Sequence, residues 1–302
     1  MSGSFRRVWT VAATECRAAL RNRRAVVSTL LFVAVAGLVM YGTVSAFAAM
    51  ERELLATLKL PPAEGAGSVT LALWKSPAFT RIMGHLSGGS LVFADIRGRH
   101  PILLAYAFFI FQVTPLLTLV TSASRVADDV RCGAARYWLV RTTRTEWSIG
   151  KFLGEALMLA VAMLVGALAA WGVATWRLAG NDWFGLLPGI LDWTARAWVY
   201  AFAWLGLFCG MSHIAKTGGK ATALAILATM GAVAWPVMLE NLASVGPAFA
   251  GVTHLDALVP SGAMPLLWRR SVAAVFQGTV HLAALAFLYL AVGSAVFRRR
   301  DV

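Results

Sequence analysis

Residues that could bind a nucleotide or a metal ion occur in this sequence only as short fragments of the necessary motifs. Gly219-Lys220 is similar to the end of a phosphate-binding loop, whose backbone N–H groups and lysine hold phosphate groups. That motif needs a glycine at position 214 and a serine or threonine at 221, where the chain has Ile214 and Ala221. His254-x-Asp256 offers two potential metal ligands, which is fewer than a protein metal site uses. The sequence therefore predicts no cofactor and no metal site in this chain.

Groups for acid–base or nucleophilic catalysis are equally sparse. The sequence has no histidine pair of the zinc-protease type, no serine or cysteine nucleophile with a partnered base, and no two carboxylates at a shared depth. A membrane-embedded enzyme is therefore a disfavoured interpretation, and we expect the chain itself not to be an enzyme.

The elements that carry these residues are membrane spans. Hydrophobic residues make up 59% of the chain and charged residues 14%, and the mean hydropathy is +0.70. The apolar residues form blocks of about 20, the number that crosses a bilayer as a helix. The first block is too long for the core of a cleaved signal peptide, so we expect it to be retained. The predicted fold is an all-α polytopic membrane protein with six spans, at about residues 25–48, 102–121, 152–176, 192–213, 221–240 and 271–297.

The positive charge, formally +13, is distributed according to the side of the membrane. With a cytoplasmic N-terminus, the inner segments are 1–24, 122–151, 213–220 and 298–302. They hold well over half of the 27 lysine and arginine residues in less than half of the non-spanning length. The sequence thus predicts cytoplasmic N- and C-termini and an attraction to anionic lipids, and it gives no reason to expect nucleic acid as a partner.

Two segments outside the spans have a pattern of their own. Residues 4–24 place apolar residues at helical spacing between arginines, which predicts an amphipathic helix at the inner membrane surface. Residues 241–270 are apolar but interrupted by prolines and glycine, which predicts short re-entrant helices in the outer leaflet. The outer segment 49–100 carries no interpretable functional pattern.

The spans contain few polar groups at mid-depth. Gln112, Gln277 and His281 are the candidates for a translocation path, and the alternative is that each makes a hydrogen bond between helices. Ion-coupled carriers use buried charged relays, so this scarcity indicates an energy source outside the chain. The small-residue pairs Gly150-x-x-x-Gly154 and Gly206-x-x-x-Gly210 suit close helix packing, either within the subunit or at a dimer seam.

The largest predicted cytoplasmic segment, 122–151, combines charges with exposed-looking aromatic residues. Arg125, Asp128, Asp129 and Arg131 have the spacing of ion pairs on a short helix that continues the second span. Tyr137-Trp138-Leu139 follows them, and aromatic residues with a basic rim are typical of a protein docking element. Thr143 or Thr145 is the predicted N-cap of the next helix.

The order of residues in this segment resembles permease subunits of ABC transporters of the second export class. The matching positions are Asp129, Gly133, Leu139, Arg144 and Gly150-Lys151. The sequence departs from the family pattern with Asp129 for glutamate, Ala134 for threonine and Thr142 for proline. A closing Arg-Asp is similar to the nitrous-oxide-reductase maturation permease branch, although that likeness does not identify a substrate.

The resemblance implies a function for the segment and a set of partners. By this resemblance the chain would be the permease subunit of an exporter, and residues 125–151 would couple it to a separate ATPase that binds ATP and magnesium. The residues that would do so are Asp128, Asp129, Arg131, Gly133, Arg136, Tyr137, Trp138, Arg141, Arg144, Gly150 and Lys151. The resemblance also implies two ATPase copies, a second permease subunit as homodimer or paralogue heterodimer, and the bacterial cytoplasmic (inner) membrane. A periplasmic partner is a further expectation, and the alternative function is a membrane anchor or assembly scaffold.

Overall fold

The computed structural model describes residues 3–57, 59, 95, 99–178, 185–244 and 247–299. Throughout these residues the regular secondary structure is helical. We number the α-helices in chain order. They are α1 Gly3–Arg21, α2 Arg23–Thr57, α3 Pro101–Ser122, α4 Arg125–Arg131, α5 Ala134–Leu139, α6 Arg144–Arg177, α7 Leu187–Ile214, α8 Gly218–Ser244, α9 Pro260–Trp268 and α10 Val272–Arg298, with a 3-10 helix at Pro247–Leu258 between α8 and α9.

Six helices are long and apolar enough to cross a membrane: α2, α3 with α4, α6, α7, α8 and α10. The prediction of an all-α chain with six spans is therefore confirmed. Each predicted span lies within one of these helices, except that the sixth begins at the N-cap residue Ser271. The helix of the fourth span starts earlier than predicted, at Leu187, so Asp192 and Arg196 lie inside it. Those charges are tolerated because Arg196 Nε is paired with Asp192 Oδ1 at 2.9 Å.

Helix α7 lies at the centre of the bundle and packs against α10, α3 and α6. Its interior face carries large buried aromatic side chains, including Trp193, Trp204 and Phe208. On its other face, Gly206 and Gly210 meet the backbone of α10, where a Cβ added to Gly206 would overlap Ala286 and one added to Gly210 would overlap Tyr289. Small residues permit this backbone approach, which gives membrane helices their van der Waals contact. The Gly206/Gly210 pair thus packs within the subunit.

The first helix and the segment before α10 attach to this bundle from outside it. Helix α1 packs along the beginning of α6 and buries Val11, Ala12 and Ala19 there. The 3-10 helix and α9 pack against α8 and α10. Backbone carbonyls of this segment accept hydrogen bonds from side chains of the spans. For example, Trp235 Nε1 of α8 donates to Leu255 O at 3.2 Å. The depth of these short helices in a membrane stays a prediction, as does the cytoplasmic placement of the termini.

Helices α2 and α8 leave the largest share of their length uncovered in the single subunit. Leu30, Leu31 and Leu38 of α2 are exposed, and so are Leu227 and Met230 of α8. Apolar surface of this extent in a membrane protein suits contact with lipid or with another helix. Most of the outer segment 49–100 lies outside the described residues, as do the closing residues 300–302.

Candidate coupling site

Segment 122–151 folds as two short helices and a capped third. Helix α4 follows α3 after two residues and ends at Arg131, with Cys132 as its C-cap. Gly133 then has φ +80°, a left-handed backbone that costs an L-residue with a side chain about 1–2 kcal/mol. This turn lets α5 fold back beside α4, and it explains why the sequence needs glycine at the position that the family pattern marks.

Helix α6 begins with a reciprocal cap. Glu146 N–H donates to Thr143 Oγ1 at 3.2 Å, and Thr143 N–H donates to Glu146 Oε2 at 2.9 Å. Of the two N-cap candidates, the structure therefore selects Thr143 and not Thr145. The Glu146 carboxylate also accepts hydrogen bonds from Arg7 Nε at 2.9 Å and Arg7 Nη2 at 2.7 Å. This fork joins the start of α1 to the start of α6, and two parallel bonds fix its geometry.

Lys151 lies at the centre of a charged cluster between α1, α4 and α6. Its side chain is only 3% exposed, and Nζ lies 2.7 Å from Glu15 Oε1. Lys151 Nζ also forms an ion pair with Asp129 Oδ2. A buried ammonium group is very costly without such partners, so the two carboxylates hold it in place and it holds them. The structure thus brings together Asp129 and Lys151, both predicted, and adds Glu15.

A second ion pair extends the cluster toward the bundle. Arg125 Nε lies 3.3 Å from Glu155 Oε1, and Glu155 is buried. Arg125 precedes Asp129 by one helical turn, and Glu155 follows Lys151 by one turn, so the two pairs join α4 and α6 at successive levels. Together, the five charges make α1, α4 and the beginning of α6 one packed unit.

Gly150 and Gly154 allow α1 to lie close enough for these ion pairs. A Cβ on Gly150 would lie 2.6 Å from Val11 Cβ, and one on Gly154 would lie 2.7 Å from Glu15 Cβ. Both distances are below what side chains tolerate, so α1 could not approach if either position carried a side chain. Gly150, which the resemblance assigns to coupling, thus permits the packing of α1 on α6, and the Gly150/Gly154 face packs within the chain.

An aromatic cluster ties the same region to the ends of two spans. The ring of Trp147 stacks on Phe297 at 5.7 Å and meets His213 edge-on at 6.1 Å. Ser148 Oγ lies 2.8 Å from His213 Nε2, while His213 Nδ1 lies 2.7 Å from the carbonyl oxygen of Cys209. These contacts attach the beginning of α6 to α7 and α10, so motion of α6 here would act on both helices.

Arg144 acts at the end of α10. Its Nη1 donates to Phe297 O at 2.9 Å and to Arg298 O at 2.8 Å. The last carbonyls of a helix lack partners within the helix and carry partial negative charge, so an arginine stabilises them. The sequence assigned Arg144 to coupling, and the structure places it inward, on the C-terminus of α10.

Helix α5 has two distinct sides. Ala135, Trp138 and Leu139 face inward, onto the cluster that contains Trp147 and Phe297. The outward side carries Arg136 and Tyr137, and the turn that follows the helix adds Val140 and Arg141; Tyr137 is 59% exposed and Val140 85% exposed. The Arg141 guanidinium lies over the Tyr137 ring, 4.9 Å from its centroid. The outer side is thus an apolar contact with a basic rim, which we call the α5 outer face, defined by these four residues.

Asp128 and Arg131 lie on the side of α4 near α8. Asp128 Oδ1 lies 3.5 Å from Arg131 Nη2, and both side chains are substantially exposed. The Asp128 carboxylate also borders Gly218, the first residue of α8, where it would collide with any added Cβ. A carboxylate beside the first turn of a helix is stabilised by the helix dipole. Next to it, Ala127 N–H donates to Ser212 Oγ at 3.0 Å, which links α4 to the end of α7.

The structure divides the predicted coupling residues into two groups. Gly150 and Lys151 are buried, and Asp129, Trp138 and Arg144 are half-buried; all five connect helices. Asp128 and Gly133 are half-buried as well. Arg131, Arg136, Tyr137 and Arg141 are exposed. The sequence predicts none of Arg7, Glu15, Glu146 and Glu155 in this site, nor the exposed Val140. It predicts Arg125 in an ion pair within its own helix, whereas the partner of Arg125 in the structure is Glu155 of α6. One feature of the sequence distinguishes Glu15, because it is the only acidic residue among the first 24 and therefore a potential partner for a buried cation.

The three candidates for a translocation path lie apart from this site. Gln112 on α3 and Gln277 on α10 are exposed on the surface of the subunit. His281 Nε2 lies 2.7 Å from the carbonyl oxygen of Ala257, a contact between α10 and the 3-10 helix. His281 thus makes the hydrogen bond between helices that was the alternative to a role in translocation. A translocation path along the three residues stays a prediction. The described residues contain no group of His, Cys, Asp and Glu side chains arranged to hold a metal ion.

Comparison with known proteins agrees with the six spans. The sequence profile of the ABC-2 family transporter proteins matches residues 9–302, which is nearly the whole chain. A search of curated proteins gives no match. The profile describes the family as a whole, so the nitrous-oxide-reductase maturation branch stays a prediction. The chain belongs to the ABC-2 transporter family, and it is a multi-pass permease of that type.

Proposed function

We propose that this permease is driven by a separate ABC ATPase that docks on the α5 outer face. The observation that carries the proposal is the exposure of Tyr137 and Val140 on a helix whose opposite side is anchored in the subunit. An aromatic residue within an apolar patch and a basic rim is the composition of interface hot spots. The ATPase would bind ATP and magnesium, and this chain would hydrolyse nothing.

The contacts behind α5 support transmission of force from this face to the spans. A load on α5 passes through Trp138 to the aromatic cluster at Trp147 and Phe297. A load on α4 passes through Asp129 to Lys151 of α6. Packed interiors transmit displacement because they are dense and compress little. Movement of the docked ATPase would thus shift α6, α7 and α10 together.

We further propose that two permease subunits, each with its ATPase, form the working transporter. The uncovered apolar faces of α2 and α8 support a partner in the membrane. A cavity of about 730 Å³ lies along α8, lined by apolar residues such as Met230, Val233 and Val237. The pairing would be a homodimer or a heterodimer with a paralogue. In this proposal the transporter is an exporter in the bacterial cytoplasmic membrane, with both termini in the cytoplasm.

The second candidate function is a membrane anchor or assembly scaffold that transports nothing. A scaffold function accounts for the six spans. It gives no reason for an exposed Tyr137 ring covered by the Arg141 guanidinium, beside a helix that packs tightly against the subunit. The two functions differ in whether the α5 outer face is required for binding an ATPase.

The experiment is co-purification of the tagged permease with an ABC ATPase encoded beside it. Changing both Tyr137 and Val140 to alanine removes the apolar contact, and we expect about 2 kcal/mol weaker binding, or about 30-fold. The matched control is Val272→Ala, since Val272 is 84% exposed and lies at the opposite end of the bundle. Unchanged ATPase recovery by the Tyr137→Ala/Val140→Ala variant, at normal membrane levels, would reject the docking proposal.

A further inference from the structure

Helix α1 has an exposed apolar strip in addition to the side that packs on α6. Phe5, Trp9 and Leu20 are 52%, 50% and 65% exposed. Their spacing, four and eleven residues, places them on one side of a helix with 3.6 residues per turn. Val11, Ala12, Glu15 and Ala19 form the neighbouring side, which is buried. The exposed strip is therefore not used by the fold of the subunit.

A basic strip follows the apolar one along the same helix. Arg6, Arg17 and Arg21 are eleven and four residues apart, which also places them on one side of the helix, and all three are exposed. Among the described residues, no carboxylate forms an ion pair with Arg17 or Arg21. In contrast, Arg7 on this helix is bound by Glu146. The charges of Arg17 and Arg21 are therefore available to an external anion.

A concavity lies where this basic strip reaches the beginning of α2. It has a volume of about 520 Å³ and is lined by Thr14, Arg17, Ala18, Arg21 and Asn22. The chain turns at Asn22 between the two helices. Arg23, the first residue of α2, is exposed and extends the basic surface, and the exposed apolar side chains Val26, Val27 and Leu30 follow on the same helix. Polar and apolar surfaces thus succeed one another in the order in which a membrane presents head groups and acyl chains.

We propose that this concavity binds the phosphate group of an anionic phospholipid of the adjacent leaflet, with the acyl chains along the start of α2. Arginine guanidinium groups match phosphate oxygens with two parallel hydrogen bonds. A free phosphate would use only the arginines, whereas a lipid also covers Val26, Val27 and Leu30. The apolar strip of Phe5 and Trp9 enters the same interface and keeps α1 parallel to it. The site does not depend on whether an ATPase binds α5.

Native mass spectrometry of the purified permease tests the proposal, with phosphatidylglycerol as the anionic probe and phosphatidylcholine as the neutral one. The wild type should retain phosphatidylglycerol preferentially. The variant Arg17→Gln/Arg21→Gln should bind it about 30-fold more weakly, from the loss of two charges near the surface. The control Lys216→Gln/Lys220→Gln removes the same charge from another exposed part of the subunit and should retain the lipid.

Three outcomes would overturn the proposal. These are equal retention of the two lipids by the wild type, equal loss of phosphatidylglycerol in the site and control variants, and complete displacement by excess inorganic phosphate. The last would show that the site binds a free anion and not a lipid. If the double variant is recovered poorly, Arg17→Gln and Arg21→Gln alone each remove one charge, and each should weaken retention by about fivefold.

Discussion

Lys151 Nζ lies 2.7 Å from Glu15 Oε1, which joins the helix before the first span to the helix of the third. Asp129 approaches the same ammonium group from the short helix α4. The segment between the second and third spans is thus held from two sides and is not a loose connection. This arrangement determines which changes should disturb the fold and which should disturb only the binding of a partner.

Lys151→Met should destabilise the permease strongly, because it leaves Glu15 and Asp129 without their shared counter-charge. Breaking a buried pair in this way costs about 3–5 kcal/mol. The measurement is thermal or denaturant unfolding of the purified protein. The matched control is Arg131→Met, whose pair with Asp128 is exposed and whose loss should cost about 0–1 kcal/mol.

A further variant separates charge from packing at this position. Glu15→Gln added to Lys151→Met removes one unpaired carboxylate, so the double variant should regain part of the lost stability. If Lys151→Met and Arg131→Met destabilise the protein equally, the cluster does not hold the helices together.

Thr143→Ala should lower stability by about 1 kcal/mol, because Thr143 caps α6 through its hydroxyl. Thr145 lies two residues further on, is exposed, and serves as the control, with an expected change within about 0.5 kcal/mol for Thr145→Ala. Unfolding of the two variants under identical conditions measures the difference. A larger effect at Thr145 would place the helix start elsewhere.

Gly154→Leu should displace α1, since its side chain would occupy the space of Glu15 and Ala12. Overpacking of this kind costs about 1–3 kcal/mol. Cys16 reports the displacement, because its Sγ lies 3.6 Å from the Gly154 carbonyl oxygen and should become more reactive toward maleimide. Gly172→Leu in the same helix is the control, as nothing lies within 4 Å of its added Cβ. Equal Cys16 labelling in both variants would contradict the packing of α1 on α6.

Cys132 should react with maleimide much faster than Cys16. Cys132 is exposed, whereas Cys16 is partly buried, and burial, followed by Glu155 and Glu15, raises the pKa of the Cys16 thiol. Only the thiolate reacts, so a raised pKa lowers the reactive fraction at neutral pH. The Cys16 rate should rise about tenfold per pH unit until the pH reaches that pKa. A Cys16 rate that is already constant at neutral pH would contradict the raised pKa.

Cys132 also tests the orientation of the chain. A maleimide that does not cross membranes should label Cys132 in inside-out vesicles and not in intact spheroplasts, if segment 122–151 is cytoplasmic. Labelling in spheroplasts alone would reverse the predicted topology.

The spans could be predicted from the sequence because their property is local. A run of about 20 apolar residues identifies a membrane helix without knowledge of its neighbours. The same holds for Thr143, since a threonine three residues before Glu146 satisfies the capping pattern by itself. Gly133 was named only through the family resemblance, and its left-handed backbone is a finding of the structure.

The charge cluster could not be predicted, because its partners are distant in sequence. Asp129 and Lys151 were named from a motif, but nothing local pairs Lys151 with Glu15 on α1. Tyr137 and Trp138 show a different limit. The side chains of adjacent residues on a helix point about 100° apart, so Tyr137 and Trp138 could not both point directly at a docked partner. In the structure Ala135, Trp138 and Leu139 pack against the subunit, which leaves Tyr137 and Val140 exposed.

The most direct measurement of the central proposal is site-specific photocrosslinking from Val140 on the α5 outer face. A photoreactive amino acid at this position, in the permease co-expressed with its ATPase, should form one major crosslink, to the ATPase. The same amino acid at Val272, which is equally exposed at the other end of the bundle, should form none. A crosslink from Val272 and none from Val140 would contradict docking on this face.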